Sequence, residues 1–304
     1  MSTVRWTDVG PRDGLQNLPD AVATEVKVRL VQGLLAAGAP RVEATSFVSP
    51  RWVPQLADAA DVLRALGPAA LPRLRVLIPN LRGLELALEH GVGNVLVTVG
   101  VTESFNRRNV NRSVAESLDG VSEIVALAAR RGVVVDCALS VCFGCPFEGA
   151  VDPQRVVQLA AELVQRGVTE VGVADTIGVA DPLQVTGLVG RVAEVVPMER
   201  LSVHFHDTRG MGVANAVAAY SAGVTRFEGS VGGLGGCPFA PRSTGNVASE
   251  DSLQALQRIG AEVSADLDAY CAVAARLGED LGMQLPGKLH RAGVWHPERV
   301  GVGA

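Results

Sequence analysis

His204-Phe205-His206 has the most chemical reach in this 304-residue chain. Residues i and i+2 of a β-strand point to the same face, so both imidazoles project together. Two such imidazoles, joined by carboxylates from other strands, make a divalent-metal site. The plainer alternative is a strand with one buried, satisfied histidine and one exposed. Asp13 is the carboxylate that completes the set, since it adjoins Arg12 on a loop bracketed by Gly10-Pro11 and Gly14. A lone Asp after a strand often serves only as a turn or cap residue. Two histidines, an aspartate, an amide and open water positions form an oxygen-rich set. That suits Mg²⁺ or Mn²⁺ better than the closed, thiolate-rich tetrahedron of structural zinc. A guanidinium such as Arg12, aimed at a carbonyl oxygen, stabilises a developing enolate as an oxyanion hole does. Glu43 either orients Arg12 from the neighbouring strand or forms a simple barrel ion pair.

The cysteines divide into two kinds. Cys142-Phe143-Gly144-Cys145 is a lone C-x-x-C with no second pair and no nearby histidine, which favours a structural or incidental role over zinc. Cys237 lies in GGLGGCPFAPRSTGNVASED, residues 232 to 251, where glycines and prolines require irregular backbone. The segment is not a phosphate cradle, because it lacks the third glycine and the Lys-Ser/Thr of a P-loop. Its glycines read instead as hinges of a closing flap whose exposed thiol acts as a general acid or base.

The elements that must position these groups alternate regularly. Strands are expected at 4–9, 41–45, 74–78, 95–99, 133–141, 170–174, 201–206 and 226–230. Helices are expected at 22–37, 53–66, 81–90, 113–131, 153–166, 181–195, 212–222 and 249–259. Asp152-Pro153 and Asp181-Pro182 have the form of helix starts, an N-cap followed by proline at the first helical position. Eight strand–helix units in about 250 residues match a (β/α)8 TIM barrel. A doubly wound sheet is the alternative, but no Gly-rich fingerprint follows the first strand. A further amphipathic helix is expected at 264–282, and the tail from Leu285, rich in Gly, Pro and basic residues, is expected to be partly mobile. The chain therefore reads as a single domain, with the barrel over about residues 4–260 and a C-terminal helical extension over about 264–304. Active sites of such barrels sit in the loops after the strands. Arg12-Asp13, Glu43, Pro79-Asn80, Asp175-Thr176, His204–Asp207 and Cys237 all fall at that end.

Composition narrows the class. Hydrophobic residues make up 48% and aromatics only 4%, so the core must be built from Val, Leu and Ala. A net charge of −5 with no basic block argues against nucleic acid as the main partner. No apolar run reaches the roughly 18–20 residues of a membrane span. No signal peptide is visible, and five cysteines fit free thiols in a reducing compartment, so a soluble cytoplasmic protein is expected.

With these residues assembled, the chain resembles the hydroxymethylglutaryl-CoA lyase family over almost its whole length. The likeness is carried by Asp8-Val9-Gly10-Pro11-Arg12-Asp13-Gly14-Leu15-Gln16-Asn17, Val42-Glu43-Ala44-Thr45-Ser46-Phe47-Val48-Ser49-Pro50 and Pro79-Asn80-Leu81. It continues in Gly144-Cys145-Pro146-Phe147-Glu148-Gly149, Asp175-Thr176-Ile177-Gly178-Val179 and His204-Phe205-His206-Asp207-Thr208. Gly235-Gly236-Cys237-Pro238 and Gly245-Asn246-Val247-Ala248 complete it. The resemblance implies metal-dependent retro-Claisen cleavage of 3-hydroxy-3-methylglutaryl-CoA to acetyl-CoA and acetoacetate by a homodimer. It implies Asp13, His204, His206 and Asn246 as metal ligands, and Arg12 on the thioester carbonyl with Glu43 holding it. Asp175 would be the base at the tertiary hydroxyl, Cys237 the proton carrier on the flap, and Glu250 a loop anchor. Substrate contacts fall on Asn80, Arg82 and Arg242, with Arg107 and Arg108 also on mouth-side loops. Arg242 stands where the family usually has a glycine, so it would either strain the turn or reach a substrate carboxylate or a CoA phosphate. That leaves a related 3-hydroxyacyl-CoA open as the substrate. A Claisen-type synthase or a pyruvate-type aldolase of the same superfamily is the further alternative.

Overall fold

Runs such as Asn94–Gly100 (NVLVTVG) and Glu170–Asp175 (EVGVAD) are rich in valine, whose branched side chains fit a pleated surface covered on both faces. The computed structural model describes residues 2–236 and 245–296. The strands are β1 (Arg5–Asp8), β2 (Arg41–Ser46), β3 (Leu74–Leu77), β4 (Asn94–Gly100), β5 (Val134–Ser140), β6 (Glu170–Asp175), β7 (Leu201–Phe205) and β8 (Arg226–Gly229). They pair in sequence order, and β1 also pairs with β8 in parallel, closing a barrel. This is the expected TIM barrel. Closure removes every sheet edge and sends all strand C-termini to one mouth.

The surrounding helices bury one apolar stripe each. Ala59–Leu66 buries Ala59, Val62, Leu63 and Leu66, the i, i+3, i+4, i+7 pattern of an amphipathic helix. Pro153–Gln165 and Pro182–Val192 start as expected. Asp152 accepts from the Gln154 amide, and Asp181 accepts from Leu183 and Gln184, whose side chain returns the bond. The core lies between strands and helices and is dominated by Val, Leu and Ala. Inside the barrel the filling differs from the usual branched apolar layers. Arg75 of β3 reaches Glu43 of β2 and Glu228 of β8, so a charged column crosses the interior.

Several expectations are corrected. The helix expected at 113–131 is preceded by a separate one, Glu103–Val110. Its sequence, ESFNRRNV, offers few apolar anchors, and it ends at Asn111, which adopts left-handed backbone at φ 55. The helix expected at 53–66 is divided: Pro54–Leu56 forms one tight turn before Ala59–Leu66. Strand β7 stops at Phe205, and His206 instead pairs in an isolated antiparallel bridge with Asn246. The tail from Leu285 is tied down as far as it is described. Leu285 and Leu289 are buried, and the Gly287 amide donates to the Gly232 carbonyl at 2.8 Å. Among the described residues, no helix is long and apolar enough to cross a membrane.

Candidate metal centre

Gly10–Gly14 forms a single wide turn after β1 in which the amides of Asp13 and Gly14 both reach the Val9 carbonyl, at 2.8 and 3.2 Å. Such π-type turns recur at functional sites. Gly14 is required by close approach, since a Cβ there would lie 3.0 Å from Ser230 Oγ and 3.2 Å from the Leu234 carbonyl. The turn projects Arg12 and Asp13 together. Arg12 is buried; its Nη1 donates to Asp13 Oδ1 at 2.5 Å and its Nε donates to Glu43 Oε1. Glu43 thus holds Arg12, and its other oxygen is held by Arg75.

His204 near the end of β7 and His206 just beyond it reach the same place, with ring centroids 5.1 Å apart. One ligand atom from each of Asp13, His204 and His206 lies within 4.8 Å of the others. His204 Nδ1 faces Glu228 Oε2 at 3.3 Å, which leaves Nε2 for a ligand. Such a carboxylate–histidine pair fixes ring orientation at metal sites. The bridge between His206 and Asn246, supported by Val247 N donating to the Phe205 carbonyl at 3.0 Å, brings Asn246 alongside. Asn246 Nδ2 donates to Asp13 Oδ2 at 2.8 Å and to the Leu234 carbonyl at 3.1 Å. Its Oδ1 and the Nδ1 of His206 are buried without a hydrogen-bond partner. Unpaired buried acceptors are costly in a folded protein. Both atoms are of the kind a cation would satisfy, and the donor set fits a divalent metal.

The electrostatics suit a cation at Asp13 and His206. Burial pushes the His206 imidazolium down to about 3, and the positive field of His204 adds to that, so this ring is neutral at neutral pH. Burial would raise the Asp13 carboxyl, but the charge of Arg12 first, then that of His204, and the hydrogen bond from Asn246 overcome it and hold it below the usual carboxylate range. Burial opposes a charged His204, yet the hydrogen bond and charge of Glu228 raise its affinity for a proton. Deprotonated carboxylate and neutral imidazole are the forms that bind metal, so Asp13 and His206 are already in those forms, whereas His204 would release its proton to a bound cation.

Asp175 ends β6 with both oxygens on backbone amides, Oδ1 from Val179 at 2.9 Å and Oδ2 from Ala180 at 3.0 Å. Burial lifts its proton affinity, which those amides and the positive charges of His204 and Arg209 oppose. Asn80 caps the helix Leu81–Glu89 through Gly83 N at 3.1 Å, and exposed Arg82 pairs with Glu85 at 2.9 Å. Neither joins the metal cluster. Arg108 lies over the Phe147 ring, 4.3 Å from its centroid, and Arg107 sits 3.8 Å from Glu103. Cys237 and Arg242 lie outside the described residues. Glu250 is fully buried, with Oε2 accepting from the Gly232 amide at 2.9 Å and Oε1 beside His290 Nδ1 at 3.1 Å, so it anchors the root of that loop. The C-x-x-C pair is structural. Cys142 Sγ contacts the Leu139 carbonyl at 3.0 Å and burial pushes its thiol up to about 12, while Cys145 Sγ meets Thr102 at 3.1 Å. Sequence reasoning missed Arg75 and Glu228. The available signal was a charge inside each short strand, flanked by Leu74 and Val76 or by Phe227, where an exposed position is improbable.

Fold and site together define a (β/α)8 barrel with a candidate divalent-metal centre at its mouth. The family model described as HMGL-like matches residues 3–276, and the chain belongs to that family. It is 40% identical to an (R)-citramalyl-CoA lyase of Chloroflexus aurantiacus, covering 99% of this chain and 98% of that protein. It is 44% identical to a 3-hydroxy-3-isohexenylglutaryl-CoA/hydroxymethylglutaryl-CoA lyase of Pseudomonas aeruginosa, over 92% of this chain and 94% of the other. The solved HMG-CoA lyase of Acinetobacter baumannii in complex with coenzyme A and 3-methylmalate superposes with a TM-score of 0.91 at 36% identity, covering 97% of each chain.

Proposed function

We propose that this protein is a carbon–carbon lyase that cleaves 3-hydroxy-3-methylglutaryl-CoA to acetyl-CoA and acetoacetate with Mg²⁺ or Mn²⁺ bound at the barrel mouth. The observation that carries this reading is the convergence of Asp13, His204, His206 and the unpaired Oδ1 of Asn246 beside a buried, pre-oriented Arg12. When bound by those four residues, the metal supplies Lewis acidity toward oxygen atoms of the substrate. Asp175 takes the proton of the tertiary hydroxyl. That oxygen forms the ketone of acetoacetate as the carbon–carbon bond breaks. The electron pair moves onto the thioester as an enolate. Arg12, fixed by Glu43, faces the enolate oxygen and stabilises its charge without reorganising. The thiol of Cys237 then protonates the enolate carbon and releases acetyl-CoA. Arg242 is read as a contact to the substrate carboxylate or to a CoA phosphate.

A second reading is favoured by the end-to-end match to the citramalyl-CoA lyase. Citramalyl-CoA offers the same tertiary alcohol with its carboxylate one carbon nearer, and the same proton transfers would release pyruvate. The test is acetyl-CoA release from both thioesters. Activity with hydroxymethylglutaryl-CoA should vanish on full chelation and return with Mg²⁺ or Mn²⁺, and Cys237→Ala should lower kcat by about 10²–10⁴. Activity that survives chelation overturns the metal reading, and turnover of citramalyl-CoA alone replaces the first substrate with the second.

A further inference from the structure

Arg75 is fully buried, and its guanidinium meets carboxylates from the adjacent β2 and, across the barrel interior, from β8. Nε donates to Glu43 Oε2 at 2.7 Å and Nη2 to Glu228 Oε1 at 2.6 Å. Each of those carboxylates spends its other oxygen on the candidate site. Glu43 Oε1 receives Arg12 Nε, and Glu228 Oε2 faces His204 Nδ1 at 3.3 Å. Nη1 points toward Asp136 and Glu170, each 3.9 Å away, and those two are already held by Arg41 at 3.0 and 2.7 Å. The guanidinium therefore aligns two carboxylates through Nε and Nη2, while Nη1 is buried without a hydrogen bond and only faces the charges of Asp136 and Glu170.

We propose that Arg75 is a positioning residue that sets the oxyanion-stabilising Arg12 and the metal ligand His204 in one geometry, through Glu43 and Glu228. This rests on the roles proposed above for Arg12 and the metal cluster. A planar fork can satisfy two carboxylates at fixed angles, whereas an ammonium is a point charge that cannot hold both orientations. Groups behind metal ligands commonly govern affinity and rate by 10–100-fold.

The experiment uses the full chain, stripped of metal and titrated with Mn²⁺ by calorimetry, with kcat, KM and urea stability measured in parallel. Arg75→Lys keeps the charge and is expected to weaken Mn²⁺ binding and lower kcat, each by about 10-fold or more, with KM little changed. Glu228→Gln should affect chiefly Mn²⁺ affinity, and Glu43→Gln chiefly kcat, so that the lysine variant shows both losses and the single carboxamides one each. Arg75→Met should exceed Arg75→Lys in both, and if it does not fold, the lysine and carboxamide variants carry the test. Wild-type Mn²⁺ affinity and kcat in Arg75→Lys, with only urea stability reduced, overturn the positioning role and make Arg75 a barrel filler. Failure of the wild-type chain itself to bind Mn²⁺ overturns the site reading instead.

Discussion

Asp8 lies fully buried at the end of β1. Its Oδ1 accepts from Gly10 N at 2.9 Å and its Oδ2 from Ser249 Oγ at 2.6 Å, while Ser249 accepts from Trp6 Nε1 at 3.0 Å. Burial outweighs these bonds and raises its pKa from 3.8 to about 7. A carboxyl with a raised folded pKa binds its proton more tightly in the native state, so its contribution is greatest at acid pH. That contribution falls as pH rises from 3.8 toward 7, then levels. Asp8→Asn keeps the acceptor and removes the titration. Its stability relative to wild type, by urea unfolding, is expected to climb across that window by about 4 kcal/mol at most. A pH-independent difference would show that Asp8 titrates normally. The same residue scale explains what was readable at the site. Arg12, Asp13, Glu43 and the two histidines stood out because each has an ordinary structural use alone, but together they fall toward one end of the barrel. Arg75 did not, because a charge between Leu74 and Val76 signals a buried position but not which carboxylates it meets until the barrel is closed.

At the scale of elements, local chemistry set most boundaries. Asp181 shows this: it accepts from the amides of Leu183 and Gln184, both at 2.9 Å, and Gln184 returns a bond at 3.2 Å. Asp181→Ala removes that cap and should cost about 1 kcal/mol of stability in urea melts, with kcat/KM unchanged. A selective loss of activity at full stability would instead assign Asp181 to the site. Strands with several branched residues were legible to within a residue or so. The helix Glu103–Val110 was not, because its polar sequence is held chiefly by buried Phe105 and Asn106. Asn106 Oδ1 accepts from Gly100 N at 2.8 Å and its Nδ2 donates to the Arg112 and Ser113 carbonyls, both at 2.9 Å. Those are packing and loop contacts, and no hydrophobic period announces them.

At the scale of the molecule, the closed barrel brings Asp13, His204, His206 and Asn246 together across 233 positions of sequence separation. A ligand that binds only this assembled set stabilises the native state by mass action. Mn²⁺ at about 100 times its Kd should therefore raise stability by about 2.7 kcal/mol, read as a Tm increase of several degrees. Asp13→Ala should abolish the shift, and an equal shift in that variant would place the ion elsewhere. The alternation of valine-rich runs with amphipathic segments determined by itself that the chain is a (β/α)8 barrel. The same-face spacing of His204 and His206, a consequence of backbone periodicity, pointed to a metal beside the plainer reading of one buried and one exposed histidine. Only the tertiary structure decided that Asn246 pairs against His206 with a free acceptor, and that the buried end of the tail packs on Gly232. It alone showed that Glu43 and Glu228 converge on one buried guanidinium. Those arrangements join residues distant in sequence, and only closure of the barrel brings them within reach of one another.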